Sequence, residues 1–322
     1  MILTVTLNAA IDRTVAVPSF RQGHRHRAVE ASTVAGGKGV NVARALKILE
    51  RPVIATGLAG GPTGARLMER LAEESILTDF TWISGESRTN LAVVDPTSGE
   101  QTEINERGPD VSAEELERFL EKLLYLARGA RICSIAGSLP PSVPPSFSAR
   151  MVEELKALGV ETIVDTEGEP LLASLRAEPA AVTPNVREAE GAVGHEFTDR
   201  EDLLLGLGSL VELGAADAVI TRPEGCVASL LVGEDREERR AYEVMAPTVE
   251  PVATVGSGDA FLAGFVAARY DGRSAEDCLR FAVACGAEST QHFGAGSIDP
   301  IEVERLLQGV EARELEAPRA AV

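Results

Sequence analysis

The chain has 322 residues, a length that fits one large α/β domain or two small ones. Hydrophobic residues make up 44% and charged residues 25%, so a sizeable core is expected. The formal net charge of −19 and the aromatic content of 4% argue against nucleic acid and anionic membrane surfaces as partners. No apolar run is long enough to span a membrane and no basic signal segment precedes the first strand, so we expect a cytoplasmic location. None of the four cysteines is in C-x-x-C spacing, and all are expected to be buried free thiols.

The first hundred residues predict alternating strands and helices around a β-rich insertion. In chain order we expect a buried strand at 2–8, a helix at 39–49, a strand and glycine-rich turn at 52–60, and a helix at 62–74. Residues 89–95 and 100–106 flank a Pro-Thr-Ser-Gly turn and predict a β-hairpin. Residues 13–35 show no helical pattern. These two segments therefore predict a small β layer that projects from the main sheet.

The rest of the chain predicts a parallel sheet covered by helices on both faces. The expected elements are a helix at 112–128, a strand at 131–137, a helix at 146–157, strands at 161–165, 217–222 and 226–232, and helices beginning near 257 and 274. The charged segment 234–241 is expected to be a solvated loop, and residues 311–322 a frayed tail.

The segment TVGSGDAFLAGF, residues 254–265, carries an aspartate from a glycine turn into an apolar helix. Gly256 and Gly258 allow backbone angles that other residues avoid. A helix N-terminus has unpaired N–H groups and a positive dipole end, so it suits an anion. On this segment alone, Asp259 either caps the helix or lies beside a bound phosphate and takes part in chemistry.

A second glycine-rich segment is AGGKGVNVARAL, residues 35–46. It is not a Walker A loop, because glycine rather than serine or threonine follows the lysine. It is either a plain strand-to-helix turn or a close backbone approach to a polar ligand, with Lys38 or Asn41 in contact. The surrounding segment, residues 20–44, contains one acidic side chain, Glu30. It contains five basic side chains: Arg21, Arg25, Arg27, Lys38 and Arg44. With Arg88 in SRTNLAV, this local positive charge favours an anionic substrate.

These segments together resemble the ribokinase/phosphofructokinase-B family of sugar kinases. The two glycine-rich segments are similar to the two family signatures, TPNVREAE at 183–190 to its N-x-x-E motif, and AGSLPPSVP at 136–144 to its G-S-L-P segment. The resemblance runs from about residue 2 to 300. The segments TVTLNAAIDRTV, GGKGVNVAR and TEINERGP look most like the branch that phosphorylates hexose phosphates, which includes 1-phosphofructokinase, tagatose-6-phosphate kinase and minor 6-phosphofructokinases.

The resemblance implies a ribokinase-like α/β fold. Three layers, α/β/α, would surround a mostly parallel sheet in a single domain at 1–310. A small β-sheet lid would be inserted from about 12–35 and 80–107, and two lids would join to form a homodimer.

The resemblance also implies roles for individual residues. Asp259 would be the catalytic base, and the N–H groups of Gly256, Ser257 and Gly258 would form an anion hole for the transferred phosphoryl group. The sugar site would comprise Asp12, Gly37, Lys38 and Asn41, and Arg88 with Arg27 or Arg25 would hold the phosphate of the substrate. ATP and Mg²⁺ would be held by Asn185, Thr221, Gly225 and Gly258, with Glu188 and Asn185 reaching the metal through water.

The sequence departs from the family pattern at two places, and two alternative functions remain to be tested. Thr183 replaces the lysine of K-P-N, and Arg222 and Pro223 alter the loop at 221–227, so the nucleotide preference is undetermined. One alternative is a kinase of an unphosphorylated sugar or nucleoside, against which the arginines argue. The other is a non-catalytic regulator that binds sugar phosphates, against which Asp259 and its glycine turn argue.

Overall fold

A computed structural model describes residues 1–233, 235–292 and 294–315 of the chain. Ten helices lie within these residues: α1 (Lys38–Ile48), α2 (Gly61–Glu73), α3 (Ala113–Ala127), α4 (Ser146–Ala157), α5 (Gly168–Arg176), α6 (Val186–Val193), α7 (Arg200–Glu212), α8 (Ser257–Tyr270), α9 (Ala275–Ser289) and α10 (Pro300–Leu307). Fourteen strands lie in the same ranges: β1 (Ile2–Thr6), β2 (Ala10–Ala16), β3 (Glu30–Gly36), β4 (Val53–Gly60), β5 (Leu77–Ile83), β6 (Arg88–Val94), β7 (Gln101–Asn105), β8 (Ile132–Ala136), β9 (Glu161–Asp165), β10 (Ala181–Val182), β11 (Asp217–Arg222), β12 (Gly225–Val232), β13 (Glu238–Met245) and β14 (Glu311–Leu315).

The main sheet has ten strands in the order β14-β13-β12-β11-β10-β9-β8-β1-β4-β5. The strands from β11 to β5 in this order are mutually parallel, and β12, β13 and β14 add antiparallel pairs at one edge. Strand β1 (ILTVT) is buried along its whole length, as expected where helices cover both faces of a parallel sheet.

Two hydrophobic cores lie against the two faces of the main sheet. One includes apolar side chains of α1, α2, α8, α9 and α10. The other includes side chains of α3, α4, α5, α6 and α7. Helix α3 illustrates the local signals: its start is fixed by a capping box between Ser112 and Glu115, and its buried residues recur at helical spacing. The expected α/β class with three layers is confirmed.

A separate four-stranded sheet has the order β3-β2-β6-β7. It combines residues 10–16 and 30–36, which overlap the segment without a helical pattern, with residues 88–94 and 101–105, which overlap the predicted hairpin. Strand β2 pairs antiparallel with β3 and parallel with β6, and β6–β7 is the predicted hairpin. We call these four strands the small sheet.

Several elements differ from the sequence predictions. The expected solvated loop at 234–241 is wrong in its second half, because β13 begins at Glu238 and pairs along its length with β12. The expected frayed tail is wrong for Glu311–Leu315, which form β14 at the sheet edge, while 316–322 lie outside the described residues. Helices α5, α6, α7 and α10 and strand β5 were not predicted. Strand β5 lies on the edge of the sheet and alternates irregularly between exposed and buried residues, so its period-2 signal is weak.

The four cysteines are buried and free, as predicted. Among the described residues, no helix is both long and apolar enough to cross a membrane.

Candidate active site

Polar residues collect where the parallel strands end. Asn8 follows β1, Gly137 follows β8, Asp165 ends β9, and Asn185 follows β10 and forms a bridge with Thr221 of β11. Ligands of open α/β sheets bind at this carboxyl edge. The two glycine-rich segments open helices α1 and α8 at the same edge.

The turn before α8 is shaped by close packing. Gly256 has φ 87° at the N-cap, and a Cβ there would lie 2.5 Å from the Cβ of Ala295. Ser257 starts the helix. A Cβ on Gly258 would instead meet nothing within 4 Å. Gly256 is therefore required by the fold, whereas Gly258 leaves open space above the first N–H groups of the helix, where an anion can approach.

Asp259 is 6% exposed and accepts a hydrogen bond from Nδ2 of Asn41 at 2.8 Å. Burial raises the pKa of Asp259 to about 7, while the charge of Lys38 and the Asn41 hydrogen bond act in the opposite direction. A carboxyl group with a pKa near neutrality is suited to general acid–base chemistry.

Lys38, the first residue of α1, lies between two carboxylates. Its Nζ is 3.4 Å from Oδ2 of Asp165 and 3.5 Å from Oε1 of Glu188. The charge of Asp165 is the largest cause of a raised Lys38 pKa, and burial raises the pKa of Asp165. Sequence reasoning missed Asp165, although an aspartate ending a predicted buried strand (ETIVD) is a signal that could have found it.

Asp12 lies in β2, opposite Asn90 of β6, and accepts a 2.8 Å hydrogen bond from Nδ2 of Asn90. Burial raises its pKa. A Cβ on Gly36 would lie 1.9 Å from Oδ2 of Asp12, so the first glycine of the GGK segment makes room for this carboxylate. Gly37 follows with φ 107° and is the N-cap of α1.

Arg88 begins β6 and is one of the charges that act on Asp12. Its Nε donates to the carbonyl oxygen of Asn8 at 3.1 Å and its Nη1 to that of Glu106 at 2.9 Å. The side chain of Asn8 in turn donates to the carbonyl of Arg107 and to Oγ of Ser138, in the G-S-L-P segment. Asn8, which sequence reasoning missed, thus joins three segments that meet beside Arg88.

Arg25, Arg27 and Arg44 do not present a free guanidinium beside Arg88. Arg25 and Arg27 lie in the exposed loop between β2 and β3, and within the described residues neither makes an ion pair or hydrogen bond with the site. Arg44 is engaged by Glu74 and by backbone carbonyls beneath the site. Counting positive charges along the sequence therefore overestimated the basic patch, because the count cannot separate a buried arginine from an exposed one.

Asn185 and Glu188 form a capping box at the start of α6, with Asn185 Oδ1 accepting from the Glu188 N–H at 3.0 Å and Glu188 Oε2 accepting from the Asn185 N–H at 2.9 Å. Glu188 Oε1 faces Lys38. In the described part of the chain, no group of three or more His, Cys, Asp or Glu side chains could hold a metal ion. Mg²⁺ keeps much of its water and needs only one or two carboxylates from a protein, so Glu188 and Asp165 are carboxylates that would suit it at this edge.

The altered loop at 221–227 is a tight connection between β11 and β12. Gly225 has φ 144°, and a Cβ there would lie 2.0 Å from the carbonyl oxygen of Val244, so this glycine is required for strand packing. Arg222 donates to Oε1 of Glu243 at 3.1 Å. Thr221 remains at the carboxyl edge, where its N–H donates to the Pro184 carbonyl.

The chain is similar to known proteins over most of its length. Residues 3–302 match the pfkB family of carbohydrate kinases. The chain is 32% identical over 286 residues to 1-phosphofructokinase of Borreliella burgdorferi, covering 89% of this chain and 90% of the relative.

Two groups of solved structures are also similar. A possible 1-phosphofructokinase from Thermotoga maritima is 25% identical with a TM-score of 0.87, covering 98% of this chain and 100% of the other. Phosphofructokinase-2 from Escherichia coli, in complex with fructose-6-phosphate and in its tetrameric inhibited form, is 28% identical with a TM-score of 0.86, covering 96% and 98%.

Proposed function

The chain belongs to the pfkB family of carbohydrate kinases, and on this premise we propose that it phosphorylates a hexose phosphate with ATP, with fructose 1-phosphate as the first substrate to be tested. The reaction would convert fructose 1-phosphate into fructose 1,6-bisphosphate. The observation that carries the proposal is the buried Asp259, beside the open space over Gly258 at the N-terminus of α8.

Asp259 is the proposed catalytic base. Phosphoryl transfer depends mainly on positioning and on stabilisation of charge. Asp259 would accept the proton of the acceptor hydroxyl while that oxygen forms its bond to the γ-phosphorus, and the bond from phosphorus to the bridging oxygen of ADP would break. A pKa of about 7 leaves Asp259 largely ionised at slightly alkaline pH and able to accept this proton.

The N–H groups of Gly256, Ser257 and Gly258 are the proposed anion hole. Gly256 is the N-cap of α8, and Ser257 and Gly258 are its first two residues, where intrahelical acceptors are lacking. The Ser257 N–H makes a long hydrogen bond of 3.3 Å to the Thr254 carbonyl, which a bound anion would replace or share. Oriented donors at a helix N-terminus stabilise developing negative charge without reorganising during the reaction. The absence of a Cβ on Gly258 would let the phosphoryl oxygens approach closely.

The sugar hydroxyls would be bound by Asp12, Gly37, Lys38 and Asn41. The Asp12 side chain is fixed by the hydrogen bond that it accepts from Asn90. The Asn41 side chain is fixed by two hydrogen bonds, one donated to Asp259 and one accepted from Arg44. Lys38 carries a cation next to Asp165 and Glu188, where it could also contact the transferred phosphoryl group. Their place at the carboxyl edge of the sheet supports this assignment.

Arg88 is proposed to hold the phosphate already present on the substrate. Its Nη2 makes no hydrogen bond within the described residues. Burial lowers the pKa of Arg88, whereas the charges of Asp12 and Glu106 act in the opposite direction. A guanidinium stays protonated in proteins and can bind a phosphate with two parallel N–H groups. Arg27 or Arg25 would reach the same phosphate after the loop between β2 and β3 moves, or from the lid of a second subunit.

The nucleotide would lie along Asn185, Thr221, Gly225 and Gly258. When bound with the nucleotide, Mg²⁺ would neutralise charge on the phosphates, and Glu188 and Asn185 would orient its water ligands. Arg222 of the altered loop is paired with Glu243, so its charge is already balanced within the protein.

The small sheet is proposed to act as a lid over the sugar, excluding water as a competing acceptor, and as the contact in a homodimer. Exposed apolar side chains on its strands and loops support the second role: Phe20, Val29, Val34 and Ile104. Light scattering should give twice the mass of one chain, and a monomer at assay concentration would contradict the dimer.

We also propose that the enzyme acts in the cytoplasm as part of carbohydrate metabolism.

The proposal is tested by ADP release with Mg-ATP and a panel of acceptors: fructose 1-phosphate, fructose 6-phosphate, tagatose 6-phosphate, fructose, ribose and adenosine. Strong turnover of one phosphosugar is expected and identifies the substrate. Turnover of unphosphorylated acceptors alone would favour the sugar or nucleoside kinase alternative. No turnover with ATP or GTP would favour the non-catalytic regulator.

A further inference from the structure

Arg44 lies beneath the candidate site, with a side chain that is 12% exposed. Its Nε and Nη2 donate to the carboxylate of Glu74 at 2.5 and 3.0 Å. Nη2 also donates to the carbonyl of Ala35 at 2.7 Å. Nη1 donates to Oδ1 of Asn41 at 2.9 Å and to the carbonyl of Ala295 at 3.1 Å. All five N–H groups of the guanidinium are thus used, so Arg44 has none left for a substrate anion.

The bond from Arg44 decides which way the Asn41 amide points. A guanidinium can only donate, so it requires the oxygen of the amide. The nitrogen of the same amide must then face Asp259, where it donates at 2.8 Å. A flipped amide would place NH₂ against the guanidinium and a carbonyl oxygen against the carboxylate, and both contacts would be repulsive.

The same guanidinium holds the segment behind the glycine turn. The carbonyl of Ala295 accepts a hydrogen bond from Arg44. A Cβ on Gly256 would lie 2.5 Å from the Cβ of the same Ala295. A Cβ on Gly296 would lie 2.5 Å from the carbonyl oxygen of Asn41. The segment 294–296 is therefore packed between α1 and the turn that starts α8.

We propose that Arg44, anchored by Glu74, is a positioning residue for phosphoryl transfer: it keeps the Asn41 N–H donor on Asp259 and holds Ala295 against the turn of Gly256. This inference rests on the proposed role of Asp259 as the base.

Four groups determine the ionisation of Asp259 besides its burial. Lys38 of α1 and the Asn41 amide favour the charged form, whereas Asp165 of β9 and Asp12 of β2 disfavour it. Loss of the Asn41 donor leaves Lys38 as the group that opposes burial, so the pKa of Asp259 must rise. The acid limb of the activity profile should then move to higher pH.

The test is the pH profile of kcat/KM for the phosphosugar turned over by the wild-type chain. Wild type should show an acid limb near pH 7. Arg44→Met keeps the length of the side chain and removes its donors, and should move the limb up by about one pH unit, which lowers kcat/KM at pH 6 about tenfold. Most of the loss should disappear above pH 8.5, and Arg44→Lys, which can still donate to Asn41, should lie between the two.

Arg51→Met is the matched control. Arg51 follows α1 and makes a two-point ion pair with Asp271, at 2.8 and 2.6 Å, away from the site. This variant should lose stability without moving the acid limb. If Arg44→Met fails to fold, Glu74→Gln provides the same test, because it weakens the anchor and should move the limb in the same direction by less.

An acid limb at the wild-type position in folded Arg44→Met, or in Glu74→Gln where the former does not fold, would overturn the inference and leave Arg44 a structural residue. Absence of turnover by the wild-type chain on every phosphosugar would instead contradict the proposed function. The two failures are therefore distinguishable.

Discussion

Strand β9 has an acid at each end, and the two acids meet different surroundings. At the amino end, Glu161 and Asp217 of β11 accept hydrogen bonds from Arg236 and Arg269. Two cations balance two anions, although Asp217 is only 2% exposed and Arg269 8%. This network contains the donors that buried charges need.

At the carboxyl end the charges do not balance. Lys38 is shared between Asp165 and Glu188, and Asp259 and Asp12 add two more carboxylates. The charges of Arg88 and of Arg44, which is paired with Glu74, act on Asp12, so carboxylates remain in excess. Burial raises the pKa of Asp12, Asp165 and Asp259. A fold gains no stability from such an excess of carboxylates, so we propose that the amino-end network stabilises the chain and that the carboxyl-end cluster acts on a ligand.

The largest expected effect is on catalysis at the carboxyl end. Asp259→Asn removes the proton acceptor but keeps the shape of the side chain, so kcat should fall about 10²- to 10⁴-fold while the KM of the phosphosugar stays nearly constant. Steady-state kinetics on the substrate identified by ADP release measures this. A loss below tenfold would mean that Asp259 is not the base.

The amino-end network should respond in the opposite way. Asp217→Asn removes one of the two carboxylates that Arg236 and Arg269 share and leaves Glu161 as the other, so the free energy of unfolding should fall by about 1–3 kcal/mol. Urea denaturation measures the loss, and kcat at a temperature where the variant is folded should match wild type. A large fall in kcat of the folded variant would contradict the assignment of stability to the amino end of β9 and of catalysis to its carboxyl end.

Arg88 tests whether the anion site lies where we propose. Arg88→Ala should raise the KM for the phosphosugar about ten- to a hundredfold with a smaller change in kcat, because a charged hydrogen bond to phosphate is lost. Arg13→Ala, an exposed arginine on strand β2 of the same sheet, is the control and should leave KM unchanged. An unchanged KM in Arg88→Ala would favour an unphosphorylated acceptor.

Much of this fold could be predicted because its signals are local. The bounds of α4, β9 and β11 follow directly from the periodicity of their own residues, and the two glycine-rich segments predicted which helix starts meet at the site. The β14 pairing could not be predicted, since its partner β13 lies about 70 residues earlier and its own sequence EAREL is mostly charged.

The site was harder to predict where function depends on contacts between distant segments. Lys38 meets Asp165 across 127 residues and Asn41 meets Asp259 across 218. Arg44 was grouped with the basic patch because a charge count carries no information on burial. Asn185 and Glu188 were noticed through the N-x-x-E motif and not through a predicted helix, although the structure shows that they form the capping box of α6.

The most direct test of the central claim is the free energy of unfolding of Asp259→Asn at pH 8 without ligands. A carboxyl pKa raised on folding, from 3.8 to about 7, gives stability that is present at low pH and lost as pH rises through this range. The account therefore predicts that Asp259→Asn is more stable than wild type at pH 8, by at most about 4 kcal/mol, with the gain disappearing below pH 4. An equal or lower stability at pH 8 would show that Asp259 is a structural charge like Asp217, and would contradict the account.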